Sequence, residues 1–173
     1  MLKKIKNDNT PLPGEVCCAF WMKGHDWMSS IIQWRTNGPG THMAYVVDGK
    51  IYENFYPRAR SRDFKPGERS TVELYRIEGS TPADWSRLMR WIQDEMKNPP
   101  SYSIRDLIRY MLNIRPVEGR QCFCSMWCLR GIRLKYRPEL QLLARLQYPD
   151  YGSPADVRRS IRLTRLDFPK SYK

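Results

Sequence analysis

The feature that most constrains this chain is Asp48-Gly49, set between two β-rich runs in THMAYVVDGKIYENFYP. A two-residue Asp-Gly loop between β-formers is a strong hairpin signal, because both loop positions can adopt the positive φ that matches the twist of the strands. The reading is a first strand from His42 to Val47 and a second from Lys50 to Tyr56. With Val47 opposite Lys50, His42 falls opposite Phe55 and Glu53 opposite Ala44. His42 and Ala44 are two apart and share a face, so His42 and Glu53 are diagonal neighbours on it, within reach of long side chains. A carboxylate so placed can fix the tautomer and orientation of an imidazole. The chain has only two histidines, and the other, His25, reads as a surface residue in a Lys-Gly-His-Asp loop.

The rest of the chain reads around this hairpin. Leu12-Pro13-Gly14 is a turn, and Glu15 to Trp21 reads as a buried strand. Asp26 can cap a short helix to about Arg35, with Trp27, Ile31 and Trp34 on one face. Residues 58–70 (RARSRDFKPGERS) read as a basic loop and Thr71 to Ile77 as a strand. Thr81-Pro82 opens a helix whose stripe is Trp85, Leu88, Met89, Ile92 and Met96, stopped at Asn98-Pro99-Pro100. Ser103 caps another with Ile104, Leu107, Ile108, Met111 and Leu112 on one face. From about Phe123 to Leu134 the pattern is apolar on most sides, which predicts a buried helix. Ser153-Pro154-Ala155-Asp156 looks like a further helix start. Strand, helix, hairpin, strand and then helices predicts an α+β fold, a small antiparallel sheet packed on helices.

Composition narrows the partners. At 173 residues, 41% hydrophobic, the chain is long enough for one domain with a sizeable core. A net charge of +12 favours polyanions: nucleic acid, anionic lipid or acidic cell-wall polymers. Specific nucleic-acid binding is not expected, since no zinc-finger, homeodomain or RNA-recognition pattern is present. No apolar run is long enough to span a bilayer, and MLKKIKNDNT has lysines with no apolar run behind them. The expectation is a protein made in the cytoplasm without a signal peptide.

Three of the five cysteines lie in QCFCSMWC, residues 121–128. A structural zinc site prefers CxxC-like pairs around a tetrahedral centre. The spacing here is C-x-C-x3-C with a distant Cys17-Cys18 pair, so neither a metal nor another cofactor is expected. An odd thiol count without a secretory signal also argues against a disulfide framework. Cys17 and Cys18 fall on a strand and Cys128 on a buried helix, all read as core; Cys122 reads as a loop residue. The generic default for any of these thiols is a buried structural role. Yet thiols stand where a loop enters a buried helix, and a helix start with a nearby imidazole lowers a thiol pKa. The chain therefore supplies the parts of a Cys–His–carboxylate triad.

LPGEVCCAFW, WMSSIIQW, GTHMAYVVDGKIYENF, FCSMWCLRGI and SPADV, in that order, resemble the circularly permuted NlpC-like branch of papain-fold enzymes. That branch includes bacterial cell-wall peptidase relatives and, more distantly, the lecithin retinol acyltransferase group. The resemblance covers residues 11–157, leaving a basic N-terminal segment (1–10) and a basic C-terminal tail (158–173). It implies a permuted papain-like fold with Cys124 as nucleophile, His42 as base and Glu53 as the orienting group. The family often has an acidic residue after Cys-Ser, where this chain has Met126, and Asp where this chain has Glu15. The expected activity is cysteine hydrolysis of amide bonds in peptidoglycan peptides. The partners would be an anionic cell-wall polymer or peptide substrate and phage tail proteins, in a virion-associated wall enzyme. Two alternatives stay open: a catalytically idle papain-fold component of a phage tail, and an acyltransferase or thioesterase acting on lipid-like substrates.

Overall fold

The computed structural model describes residues 9–22, 30, 32–34, 40–112, 114, 119–135, 153–160 and 163–169. They form an α+β fold: a six-stranded antiparallel sheet with helices packed on one face. The strands are β1 (Cys17–Trp21), β2 (His42–Val47), β3 (Lys50–Phe55), β4 (Arg58–Asp63), β5 (Val72–Ile77) and β6 (Leu163–Leu166). Their order across the sheet is β4-β3-β2-β1-β5-β6. The helices are α1 (Pro82–Lys97), α2 (Ile104–Met111), α3 (Cys124–Lys135) and α4 (Pro154–Ser160). Among the described residues no helix is long and apolar enough to cross a membrane.

The hairpin register is the expected one. Asp48 and Gly49 both have positive φ, 46° and 80°, and Val47 pairs with Lys50, Val46 with Ile51 and Tyr45 with Tyr52. Strand alternation then divides the apolar residues into two layers. Val16, Cys18, Phe20, Met43 and Tyr45 face the helices and join Leu88, Ile92, Trp127 and Leu129 in the main core. Cys17, Ala19, Ala44, Val46 and Ile51 face the other way, where Phe64, Val72, Leu74 and Leu166 close a smaller cluster. The central strands β1 and β2 are thus buried on both faces, which is why they read as nearly continuous apolar runs.

Three helices begin with the same device. Thr81, Ser103 and Ser153 each cap a helix, and an aspartate three residues on (Asp84, Asp106, Asp156) bonds back to the capping hydroxyl. In each the hydroxyl accepts the aspartate N–H, satisfying a helix-end donor that would otherwise lack a partner. α3 runs buried through the helical layer, and Gly131 is where it meets α1. A Cβ there would lie 2.5 Å from Trp91 and 2.7 Å from the Tyr45 hydroxyl.

Several expectations are corrected. Residues 58–63 are a strand, not a basic loop, and β3 turns into it at Tyr56-Pro57, whose peptide bond is cis. Residues 66–70 form a 3-10 turn. The basic tail contributes an edge strand, β6, and the Asp167 N–H donates to the Asn9 carbonyl. On α2 only Leu107 of the apolar stripe is in the core. Ile104, Ile108 and Leu112 are exposed, because the helix is held by its cap and by the Tyr110 hydroxyl donating to Asp156. Trp34 is 82% exposed, and nearby Ile32 is the buried residue. Trp27, Ile31 and His25 lie outside the described residues.

Gly131→Ala is expected to destabilise the protein by about 1–3 kcal/mol, the usual cost of overpacking a tight helix contact. Denaturant unfolding of the variant against the parent measures it; an unchanged midpoint would contradict the close α1–α3 approach.

Candidate active site

His42 is the first residue of β2, with the Trp21 ring on one side (centroids 5.0 Å apart) and Phe55 edge-on at 5.5 Å. The Phe55 contact is the cross-strand neighbour that the hairpin register requires. Glu53, on the same face, is 1% exposed, and its Oε2 lies 2.9 Å from His42 Nε2. The diagonal pairing expected from Asp48-Gly49 is therefore present as a direct hydrogen bond.

The other oxygen, Oε1, accepts from two arginines of β4, Arg60 Nε and Arg62 Nε, both at 2.9 Å. Burial alone would raise the Glu53 pKa, but the hydrogen bonds and charges of His42 and Arg62 hold it down at about 2. An ionised carboxylate only accepts, so Nε2 of His42 carries the proton and Nδ1 is left for the remaining partner.

That partner is Cys124, the first residue of α3, 3% exposed, with which the His42 ring is hydrogen-bonded. His42 projects from the sheet face that carries Glu53, whereas α3 packs on the opposite face. Because His42 opens its strand, its ring bridges the two layers at the end of the sheet. Burial would push the imidazole down, but the Cys124 sulfur and then Glu53 outweigh it and hold the ring up at about 9. Burial likewise would raise the Cys124 thiol. The charge and hydrogen bond of His42, together with the backbone N–H groups of Met43 and Ser125, bring it below its usual value. The two shifts reinforce each other: each group favours the charged form of its neighbour.

The other four thiols are pushed up, chiefly by burial: Cys122 to about 11, Cys18 to about 12, and Cys17 and Cys128 further or strongly. Cys122 is not a free loop thiol. It is buried in a bridge to Tyr102, and Asn54 Nδ2 donates to its carbonyl (2.8 Å) and to its sulfur (3.2 Å). The carbonyl of Cys128 accepts the Tyr45 hydroxyl in the core. Among the described residues no three His, Cys, Asp or Glu side chains converge as a metal-binding set.

The flanking motifs support this site without joining it. Glu15, in the Pro-Gly-Glu turn, is buried and accepts from the Leu12 N–H and from Arg76 on β5. It is a staple between the turn at residues 12–15 and the sheet. The start of α4 touches the approach to His42: a Cβ on Gly40 would lie 3.2 Å from both Pro154 and Ala155. A cavity of about 550 Å³ sits at the turn end of the hairpin, lined by residues including Val47, Lys50, Tyr52, Trp85, Met89 and Arg90. None of Cys124, His42 and Glu53 lines it.

Sequence reasoning missed Arg60, Arg62 and Glu68. Arg62 forks onto Glu68, Nη1 to Oε2 at 2.8 Å and Nη2 to Oε1 at 2.7 Å. The available signal was arginine at every second position in RARSRD, just after a strand carrying an acidic residue. A scan of protein-family models finds no match to this chain, and a search of curated proteins finds none either.

Because the Glu53 pKa falls from 4.5 to about 2 on folding, its contribution is fully present above pH 4.5 and is lost as pH drops towards 2. That contribution is on the order of 3 kcal/mol. The stability difference between the parent and Glu53→Gln is therefore expected to shrink as pH falls from 4.5 to 2. Unfolding curves across that range check it, and a constant difference would contradict the buried ion pairs.

Proposed function

We propose that this protein is a cysteine hydrolase of the permuted papain-like, NlpC-type class, cleaving amide bonds in peptidoglycan peptides. The observation that carries the reading is the thiol of Cys124 at the start of a buried helix. It is bonded to an imidazole whose other nitrogen is held by a buried carboxylate. That is the arrangement nucleophilic acyl transfer needs: an activated sulfur, a base in contact with it, and a group that orients the base.

In this reading the Cys124 thiolate attacks the amide carbonyl carbon, a C–S bond forms, and the carbonyl electrons move to oxygen. In this reading the oxyanion is met by backbone N–H groups at the very start of α3, ahead of the first intrahelical bond, which runs from the Trp127 N–H to the Phe123 carbonyl. Such donors are worth roughly 3–4 kcal/mol each in known cases. The imidazolium of His42 gives its proton to the leaving amine, the C–N bond breaks, and a thioester to Cys124 remains. Neutral His42 then takes a proton from water as hydroxide adds to the thioester carbonyl; the C–S bond breaks, the acid leaves, and the Cys124 thiolate is restored beside the His42 imidazolium. Glu53 stays ionised throughout and holds Nε2–H in place. The charge of +12 suits an anionic cell-wall substrate, and the resemblance to wall peptidase relatives favours a virion-associated enzyme working with phage tail proteins.

The test is digestion of purified peptidoglycan, read as loss of turbidity and as new amine termini by mass spectrometry. The parent is expected to release peptide fragments. Cys124→Ala and His42→Ala should each lower the rate by roughly 10³-fold or more, and Glu53→Gln should cost about 10²–10⁴ in kcat. Variants that digest as fast as the parent would remove the triad. A folded parent that releases nothing would point to an idle assembly component. A trapped acyl-enzyme carrying a fatty acyl mass would point to acyl transfer instead.

A further inference from the structure

Glu53 has more partners than an orienting carboxylate needs. One oxygen suffices to hold the imidazole; the other is taken by Arg60 and Arg62 together. The two arginines are not equivalent. Arg60 is 47% exposed and stacks over Phe55, its guanidinium carbon 4.5 Å from the ring centroid. Arg62 is 25% exposed and is fixed at three nitrogens: Nε on Glu53, and both Nη atoms on the two oxygens of Glu68. Glu68 is itself tied to the backbone, accepting the Lys65 N–H at 2.9 Å at the entry to the 3-10 turn.

We propose that Arg62 and Glu68 are positioning residues for the Cys124–His42 pair, so that the working unit is the alternating-charge chain Glu68–Arg62–Glu53–His42–Cys124. This rests on the Cys–His–Glu reading above. Two physical effects carry it. A carboxylate bonded only to His42 could rotate and release the ring, whereas one with its second oxygen pinned to a forked, anchored guanidinium cannot. The second effect is electrostatic. Glu53 faces three cationic groups, His42 from β2 and Arg60 and Arg62 from β4, with a single negative charge. Without Glu68, two uncompensated guanidinium groups would compete with the imidazolium for that charge. With it, Arg62 is neutralised from its far side, and the charge of Glu53 is left for His42. Arg62 touches neither the thiol nor a reacting atom, so its effect passes through the geometry and charge of Glu53.

The test needs no substrate. The rate of iodoacetamide alkylation at Cys124, followed by peptide mass spectrometry on the full chain, is measured against pH for the parent, Arg62→Gln, Arg62→Lys and Glu68→Gln. The parent is expected to react at a plateau that extends below pH 7, as an ion-paired thiolate does. In Arg62→Gln a competing charge is lost together with the pin on Glu53, and the lost pin is expected to dominate: the rate at pH 6 should fall by roughly tenfold, with the curve moving towards that of an ordinary thiol near pH 8.5. Arg62→Lys, which keeps the charge and loses the fork, should fall between the two. Glu68→Gln should move the curve in the same direction by less. A merely structural arginine would lower the unfolding midpoint and leave the position of the pH curve alone. A folded Arg62→Gln with the parent's curve overturns the proposal. If Arg62→Gln does not fold, Glu68→Gln decides: an unmoved curve overturns it, a moved one supports it. A parent that itself alkylates like an ordinary thiol overturns the Cys–His pairing, a result distinct from any difference among the variants.

Discussion

The site is organised by one buried negative charge. Glu53 sits at 1% exposure in the middle of a sheet face, where an unpaired carboxylate would cost several kcal/mol or take up a proton. Three cationic donors keep it ionised, and each comes from a position fixed by strand register: His42 diagonally across β2, Arg60 directly opposite on β4, and Arg62 two residues on. The same bonds that keep the charge tolerable hold the imidazole ring. Its raised pKa, near 9, follows from its neighbours Cys124 and Glu53, and the lowered thiol follows in turn from the ring. Remove the carboxylate, and no feature of the sheet alone would hold the other ring nitrogen towards the sulfur.

The second requirement is that a helix terminus reach the end of the sheet. α3 is buried on nearly every side, and its position follows from close packing on α1 at Gly131 and from the Tyr45 hydroxyl bound to the Cys128 carbonyl. Cys122 has a supporting part in this: it joins the segment before α3 to Tyr102 and Asn54 and so sets where the helix begins. The three thiols of QCFCSMWC thus differ by environment. One is bound into a bridge, one lies in the core, and one stands at the helix start beside a basic nitrogen.

How much of this could be read in the sequence depends on whether the deciding signal was local. Asp48-Gly49 carries its own backbone geometry, so the hairpin, its register and the His42–Glu53 pair were legible to the residue. α3 was legible because an all-round apolar helix has nowhere to go but the interior. β4 was not, since RARSRD has no apolar alternation; its strand state comes from pairing with β3 and from guanidinium groups that find acidic partners only once the sheet exists. The α2 stripe misled for the opposite reason. Its periodicity was right for a helix, but only Leu107 is in the core, and capping with an Asp156 contact holds the rest. Leu163 to Leu166 read as a tail because four residues carry little pattern, and only the open edge of β5 makes them a strand. The helix starts at Thr81, at Ser103 and at Ser-Pro-Ala-Asp were readable, but not that the last presses on Gly40.

That last contact bears on when the thiol comes alive. His42 and Cys124 are eighty-two residues apart in the chain, and Gly40, two residues before the histidine, packs on Pro154 and Ala155 from beyond the helix. Closing such long loops carries an entropic cost that grows with their length, so these contacts depend on the assembled fold and not on local structure alone. Until they close, Cys124 is an ordinary thiol, largely protonated at neutral pH. If the proposed function holds, a nascent or partly folded chain would carry no activated sulfur, and the onset of its reactivity would double as a clock for completion of the fold.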